Sequence, residues 1–534
     1  MKRIKSAIAV LLAVIMLCSV MSVAASAAEK VTPVIVVSGL NSFPLYDGEE
    51  NQVFPPSANS IIKTVGKSLL PLAKAAVKGD ISIFGDEVFK TVYEELFEVI
   101  SCDENGVPLR SDIHAIDFSQ SVDNYPQYIK DSEQNDDEVG IMKALIDEIG
   151  GKNVYFFNYD WRIDPMEHVD PLKALIEKVK SEKNTDEVIL VPCSMGGVVV
   201  NSYLSRYGSD GIKKIFYCTV ASKGLDLVGE LFSKQITVDV ATLMEYFFSF
   251  EAGEIFAQAL IGVLQTSFEI TPTITKAIDK FTEKLLEELN DQAFDGLFLK
   301  SFALMPGLWS FCPDEYYEAD KKIIFEDGKN EELIKKLDNY HYNVQTKAET
   351  LMQTAMDKGC EIYIIAAYGY VGFPATKAAF TQSDCLIETK NESFGAITAR
   401  YGESFDKSYK AAGTVCNDPE HTHVSTDGAI DASSCTFPEI TWFIKNNRHV
   451  GFTYKTDASK MLMWMILNDE PFDVYTNEDY PQFVELNLTS GKFSSLTGKE
   501  MNPSYLDNHS NLITRLVRFI VNIYTLIKTK IITK

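Results

Sequence analysis

One segment restricts this chain more than any other: VILVPCSMGGVVVNSYLSRYG, residues 188–208. A β-branched run, apolar at every position, passes straight into Pro192-Cys193-Ser194-Met195-Gly196-Gly197, and helical spacing begins at once. A strand with no polar face belongs inside a parallel sheet covered on both sides. A turn this short lifts Ser194 above the strand end, and small residues after it let strand and helix approach closely. The usual glycine two residues before such a serine is Pro192 here. The plain alternative is an ordinary strand-to-helix turn whose serine caps the helix.

The same alternation recurs along the chain. Short apolar strands are expected at Val34 to Val37, Asn153 to Tyr159, Val188 to Val191, Lys214 to Val220 and Glu361 to Ala367, with a further strand at TWFI, 441–444. Helical spacing occupies 61–76, 85–99, 136–149, 171–180, 196–207 and 458–467. Strands separated by helices imply right-handed crossovers and a mostly parallel sheet, an α/β class. From about residue 225 to 350 the pattern turns helical throughout, as in VATLMEYFFSF and EIFAQALIGVLQ. A helical cap inserted into the sheet domain accounts for this; an enlarged core is the alternative. The organisation expected is therefore a leader at 1–27, a first core part at 28–224, a cap or lid at 225–360, a second core part at 361–475, and a C-terminal extension at 476–534.

A serine nucleophile needs a base, an acid and an oxyanion site. In this architecture the partners follow in the order serine, acid, histidine. His449, in NNRHVGF after the TWFI strand, is the expected base. Asp427, in STDGAID, is the expected acid, with Asp431 as second candidate and an Asp-Gly turn without chemistry as the alternative. The amides of Met195 and of Leu40, in Ser38-Gly39-Leu40-Asn41, are the expected oxyanion donors.

These segments together resemble the lecithin:cholesterol acyltransferase-like branch of the α/β-hydrolase family. TPVIVVSGLNS is similar to its first strand and oxyanion loop, NYDWRIDP to its Y-D-W-R segment, and VPCSMGG to its H-S-M-G elbow with Cys193 in the histidine's place. STDGAID and NNRHVGF are similar to its acid and base loops, and FPAT, Phe373 to Thr376, to the pattern preceding its acid. The resemblance covers roughly 31–225 and 361–467, and in the insertion mainly PGLWSFCP. It implies an α/β-hydrolase fold and lipid-ester chemistry, with the acyl group passing through Ser194 to water or to an alcohol. It also implies that Asp160, Trp161 and Arg162 support the site rather than react. A hydrolase-like protein that binds lipid or cell-surface material without turnover is the reading outside enzymology. No cofactor is implied.

The chain's ends bear on location. Lys2, Arg3 and Lys5 precede an apolar run to Ala25, and Ala25-Ser26-Ala27 fits a leader cleavage site, which implies secretion to the exterior or cell surface. An uncleaved anchor is the alternative. The tail from Leu512 to Lys534 mixes Arg515, Arg518, Lys528, Lys530 and Lys534 with many apolar residues and no acid. Such a helix can lie on an anionic membrane, or pack on the acidic body. With 50 Lys plus Arg against 75 Asp plus Glu, the net charge of −25 argues against nucleic acid as partner. There is no C-x-x-C pair; Cys416 and Cys435 flank one loop and could pair. In CNDPEHTH, His421 and His423 stand near Cys416, Asp418 and Glu420, but a polar loop is favoured over a metal site, and no metal is expected.

Overall fold

The computed structural model describes residues 31–57, 59–61, 63–64, 67, 82–235, 294–325, 329–373, 375–413 and 423–496. The expected leader, most of the helix at 61–76, the centre of the cap, His421 with most of its loop, and the basic tail lie outside the described residues.

An eight-stranded sheet organises the molecule. Its strands are β1 (Val34–Val37), β2 (Val154–Phe157), β3 (Val188–Pro192), β4 (Ile212–Cys218), β5 (Glu361–Tyr368), β6 (Thr441–Lys445), β7 (Phe483–Asn487) and β8 (Lys492–Ser494). They lie in the order β8-β7-β6-β5-β4-β3-β1-β2. All pairings are parallel except that of β8 with β7. The interior strands are buried along almost their whole length, which is why their sequences read as unbroken apolar runs.

Helices cover both faces. Ile35 and Val37 point to one side, where α2 (Val169–Lys183), α3 (Gly196–Tyr207) and α7 (Ala348–Asp357) supply Leu172, Val198, Tyr203 and Met352. Val34 and Val36 point to the other, where α1 (Asp137–Ile149) and α8 (Asp457–Leu467) supply Val139, Met142, Met461 and Leu462. The pleat sends alternate residues of each strand to opposite layers, so one sheet fills two cores.

Within the expected insertion, the described residues are helical: α4 (Asp226–Phe232), α5 (Asp314–Ile324) and α6 (Glu331–Asn343) among them. Phe232, Trp309, Tyr317, Phe325 and Leu333 form their own apolar cluster. The sheet itself runs past residue 475, where an extension was expected to begin. β7 adds a parallel strand outside β6, and β8 turns back against it.

Candidate active site

In a parallel sheet the loops after the strands gather at one edge, and ligand sites form there. β1, β3, β5 and β6 end at Val37, Pro192, Tyr368 and Lys445. Beyond them lie Ser38 to Asn41, Ser194, Asp384 and His449.

Ser194 takes a φ of 50°, in the left-handed region that a residue with a side chain rarely enters. Such a conformation costs about 1–3 kcal/mol and persists only where its surroundings dictate it. Here they do. The Ser194 N–H donates to the Cys218 carbonyl at 3.3 Å, and the Ser194 carbonyl accepts from Gly197 and Ala221 at 3.1 and 3.0 Å. A side chain at Gly196 would meet the Val37 carbonyl oxygen at 2.4 Å, and one at Gly197 would meet Val220 and Ser222 at 2.6 Å. These two contacts explain why the turn reads Met-Gly-Gly. Cys193 is fully buried beside Cys218, and burial pushes its thiol up.

Met195 opens α3. Among the described residues, neither its amide nor that of Leu40 donates a hydrogen bond, which leaves both available at the edge where the serine stands. The Tyr159 hydroxyl donates to the Ser38 carbonyl at 2.8 Å and props the Leu40 loop from below.

Asp160, Trp161 and Arg162 form a buried brace. Arg162 binds Asp160 through Nε at 2.9 Å and Nη2 at 2.6 Å, a two-pronged pair. Its Nη2 also reaches the Ile113 carbonyl at 3.3 Å, and its own carbonyl accepts the Gly307 N–H at 3.1 Å. Trp161 is packed so closely under Gly307 that a Cβ there would lie 1.8 Å from its carbonyl oxygen. The brace thus joins β2's loop to the PGLW turn of the helical region.

His449 Nδ1 faces Asp384 Oδ2 at 2.5 Å. This corrects the acid expected from sequence: the structure does not bring Asp427 to His449. Asp427 Oδ2 is paired with Lys445 Nζ at 2.8 Å and accepts the Tyr368 hydroxyl at 3.3 Å. Its Oδ1 accepts the Ser425 hydroxyl at 2.7 Å. Lys445, the last residue of β6, is buried and would be left an uncompensated cation without it. Asp431, the second candidate, accepts from Tyr409, Ala412 and Ser433.

Asp384 is seated by its loop. Oδ1 accepts the Leu386 and Ile387 amides at 2.8 Å, and the Asp384 carbonyl accepts the His449 N–H at 2.8 Å. Burial alone would raise its carboxyl, but the facing His449, a hydrogen bond with Glu392 and the Ile387 amide outweigh burial and hold it below the usual carboxylate range. His449 shifts the other way: burial would lower it, but Asp384, then Asp137 and Glu138, carry it above the ordinary histidine value. Glu392, fully buried, lies in the same group, with donor atoms of Asp384, Glu392 and His449 within 4.8 Å of one another. Burial and the Asp384 charge push the Glu392 carboxyl well up, and its Oε2 accepts the Ala367 N–H at 2.6 Å. The three groups have ligand-type atoms, yet His449 Nδ1 is committed to Asp384.

The serine and histidine loops are joined through β4. Ser194 bonds Cys218, and the next residue, Thr219, accepts the Val450 N–H on its hydroxyl at 3.0 Å. His423, the last residue of CNDPEHTH, has both ring nitrogens occupied, by Gln482 at 2.7 Å and Tyr475 at 2.9 Å. All seven described cysteines are buried and unpaired.

An eight-stranded, mostly parallel sheet with a serine on the turn after a central strand, and a histidine–aspartate pair on the loops of neighbouring strands, defines an α/β-hydrolase arrangement. The family model for lecithin:cholesterol acyltransferase matches residues 91–220, which include β2, β3, the elbow and β4. Among solved structures, a match is found to the crystal structure of the Tle4–Tli4 complex, at 15% identity over 38% of this chain and 48% of that one, with a TM-score of 0.22. The match spans about half of that chain, and the strand order carries the fold assignment without it. No curated protein matches the sequence.

Proposed function

We propose that this chain is a serine hydrolase of lipid carboxylic esters, a lipase, phospholipase or esterase, working through an acyl-enzyme on Ser194. The observation that supports it best is the strained Ser194 at the sheet edge with the His449–Asp384 pair on the loops beyond. The match to the lecithin:cholesterol acyltransferase family supports acyl chemistry on lipid esters in general.

In this reading His449 takes the Ser194 proton through Nε2 while Asp384 fixes its tautomer and stabilises its charged form. Ser194 Oγ attacks the ester carbonyl, and the amides of Leu40 and Met195 receive the developing oxyanion. The alcohol departs with the proton from His449. Water, activated by the same histidine, then releases the acid and frees the serine. An alcohol taking the place of water would make the chain an acyltransferase, the reading the family's name favours. We also propose that it acts outside the cell, after removal of its leader, and that the basic tail at 512–534 adds contact with an anionic lipid surface.

A chain-length series of ester substrates, run on wild type and Ser194→Ala together, tests the reaction. Turnover should fall to near background in the variant, and a fluorophosphonate probe should label wild type alone. Equal turnover by both proteins would leave a lipid- or surface-binding protein as the better description. Adding a sterol or long-chain alcohol separates the acceptors: new ester product marks the acyltransferase.

A further inference from the structure

A carboxylate on the serine's side of this site has no part in the reaction just described. Glu138, the second residue of α1, is only 4% exposed. Its Oε1 accepts the Gly39 N–H at 2.8 Å and the Ser42 hydroxyl at 2.9 Å. One oxygen therefore brackets the loop that carries Leu40. Within the bracket Asn41 takes a φ of 57°, so the loop makes a sharp reversal between its two tethers. A Cβ built on Gly39 would sit 3.0 Å from Glu138 Oε1 and 3.0 Å from Ser194 Cβ. Carboxylate, loop and serine close on one another so tightly that a methyl group at Gly39 would push one of them aside.

The base of α1 is itself held on the other side of the site. Lys143 Nζ donates to the carbonyls of Ser132 and Gln134 and to Asn135 Oδ1, and the Asn135 carbonyl accepts the Tyr454 N–H, five residues beyond His449. Phe452 lies against the same turn, its carbonyl 2.7 Å from where a Cβ on Gly140 would stand. The first turn of α1 therefore links the Leu40 loop to the His449 loop.

We propose that Glu138 is a positioning residue for the reaction: its Oε1 clamps Gly39 and Ser42 so that the Leu40 amide faces the carbonyl oxygen bound at Ser194. The inference rests on Ser194 being the nucleophile. Glu138 has a second effect through its charge. The titratable groups facing His449 are Asp384 and Glu392 from the loop after β5, and Asp137 and Glu138 from α1. Glu138 is among those that raise the imidazole, so removing its charge moves the protonation of His449 to lower pH.

The two effects separate in two variants, because a single oxygen makes both loop bonds and glutamine retains it. Glu138→Ala should lose about tenfold to hundredfold in kcat with KM changed by less than about threefold, as a displaced oxyanion donor predicts. Glu138→Gln should recover most of that kcat. In both, the acid limb of kcat/KM should move to lower pH. Ser42→Ala, which cuts only one tether, should lose less than Glu138→Ala and keep the limb in place. Thermal denaturation of each variant identifies any that fails to fold, and Glu138→Gln and Ser42→Ala then carry the test. Wild-type kcat in Glu138→Ala, or equal losses in the Ala and Gln variants, would overturn the proposal while Ser194→Ala stayed inactive. Equal turnover by wild type and Ser194→Ala would overturn the nucleophile and this inference together.

Discussion

At the residue scale, the two aspartates that compete for the acid's place make opposite predictions. Asp384 bonds the histidine; Asp427 neutralises a buried lysine. Asp384→Asn should lower kcat by about 10⁴-fold with little change in stability, since the amide can no longer stabilise the imidazolium or hold its tautomer. Asp427→Asn should keep activity within about threefold at 25 °C and cost about 3 kcal/mol in denaturant unfolding, because Lys445 keeps its charge without its partner. Rate profiles and unfolding curves on both variants check this, and reversed assignments would restore Asp427 as the acid. The pH dependence follows from His449. A base must be neutral to accept the serine's proton, and its neighbours raise its pKa. The acid limb of kcat/KM should therefore lie above about 6.5, the value of an unperturbed histidine. A limb at or below that value would show that Asp384, Asp137 and Glu138 do not act on His449.

The placement of the two aspartates also shows what the sequence carries. The placement of Ser194 and His449 at the sheet edge is written in the sequence because each follows its strand within a few residues. Asp384 stands 16 residues beyond β5 and 65 before His449. Its pairing is made by the adjacency of β5 and β6 in space. Asp427-Gly428 carried the stronger local signal, a turn dipeptide close to the histidine. The one sequence cue toward Asp384 is FPAT at 373–376, after a strand and shortly before Ser383-Asp384. Glu138 gave no signal at all, being one acid among several at a helix start.

At the scale of elements, the elbow depends on how closely β3 and α3 approach β1 and the start of the loop after β4. Gly197 lies against Val220 and Ser222 with no space for a Cβ, and both neighbours are themselves fully buried. Overpacking a rigid core typically costs about 1–3 kcal/mol and occasionally more, and here Val220 Cβ and Ser222 Oγ both stand 2.6 Å from the added atom. Gly197→Val should therefore destabilise by at least about 3 kcal/mol. In protein that still folds, it should slow fluorophosphonate labelling of Ser194 by more than tenfold, since α3 must shift and carry the Met195 amide with it. Unchanged labelling would mean that the turn tolerates a wider approach than the contacts describe. This element was legible in full from sequence, down to the helix limits at Gly196–Tyr207. The reason is physical: backbone crowding admits glycine, so the constraint is written in the residues themselves.

At the scale of the whole molecule, the sheet's far edge decides how the strand that leads to His449 is kept. β6 is central: it pairs with β5 on one side and with β7 on the other. β7 alternates buried and exposed positions, with Val484 and Leu486 inward, and so lacks the unbroken apolar run that marked the other strands. That pattern is why the second core part was expected to stop at residue 475. The structure carries it to Ser494, and Phe493 and Phe483 help close the edge. Gln482, at the start of β7, donates to the carbonyls of Pro438 and Thr441 and binds His423, so the edge strand also anchors the loops leading into β6. A chain ended after residue 475 should therefore leave β6 with an unpaired edge and exposed Trp442 and Phe443 surroundings. It should aggregate or unfold well below the wild-type temperature and fail to label at Ser194. A chain ended after residue 496 retains all eight strands of the described sheet and should keep labelling and turnover of soluble short-chain esters near wild type. If the tail at 512–534 serves only lipid surfaces, that same shorter chain should lose sedimentation with anionic vesicles. Full labelling by the 475 variant would show that β7 and β8 are ornament on a sheet already complete at β6.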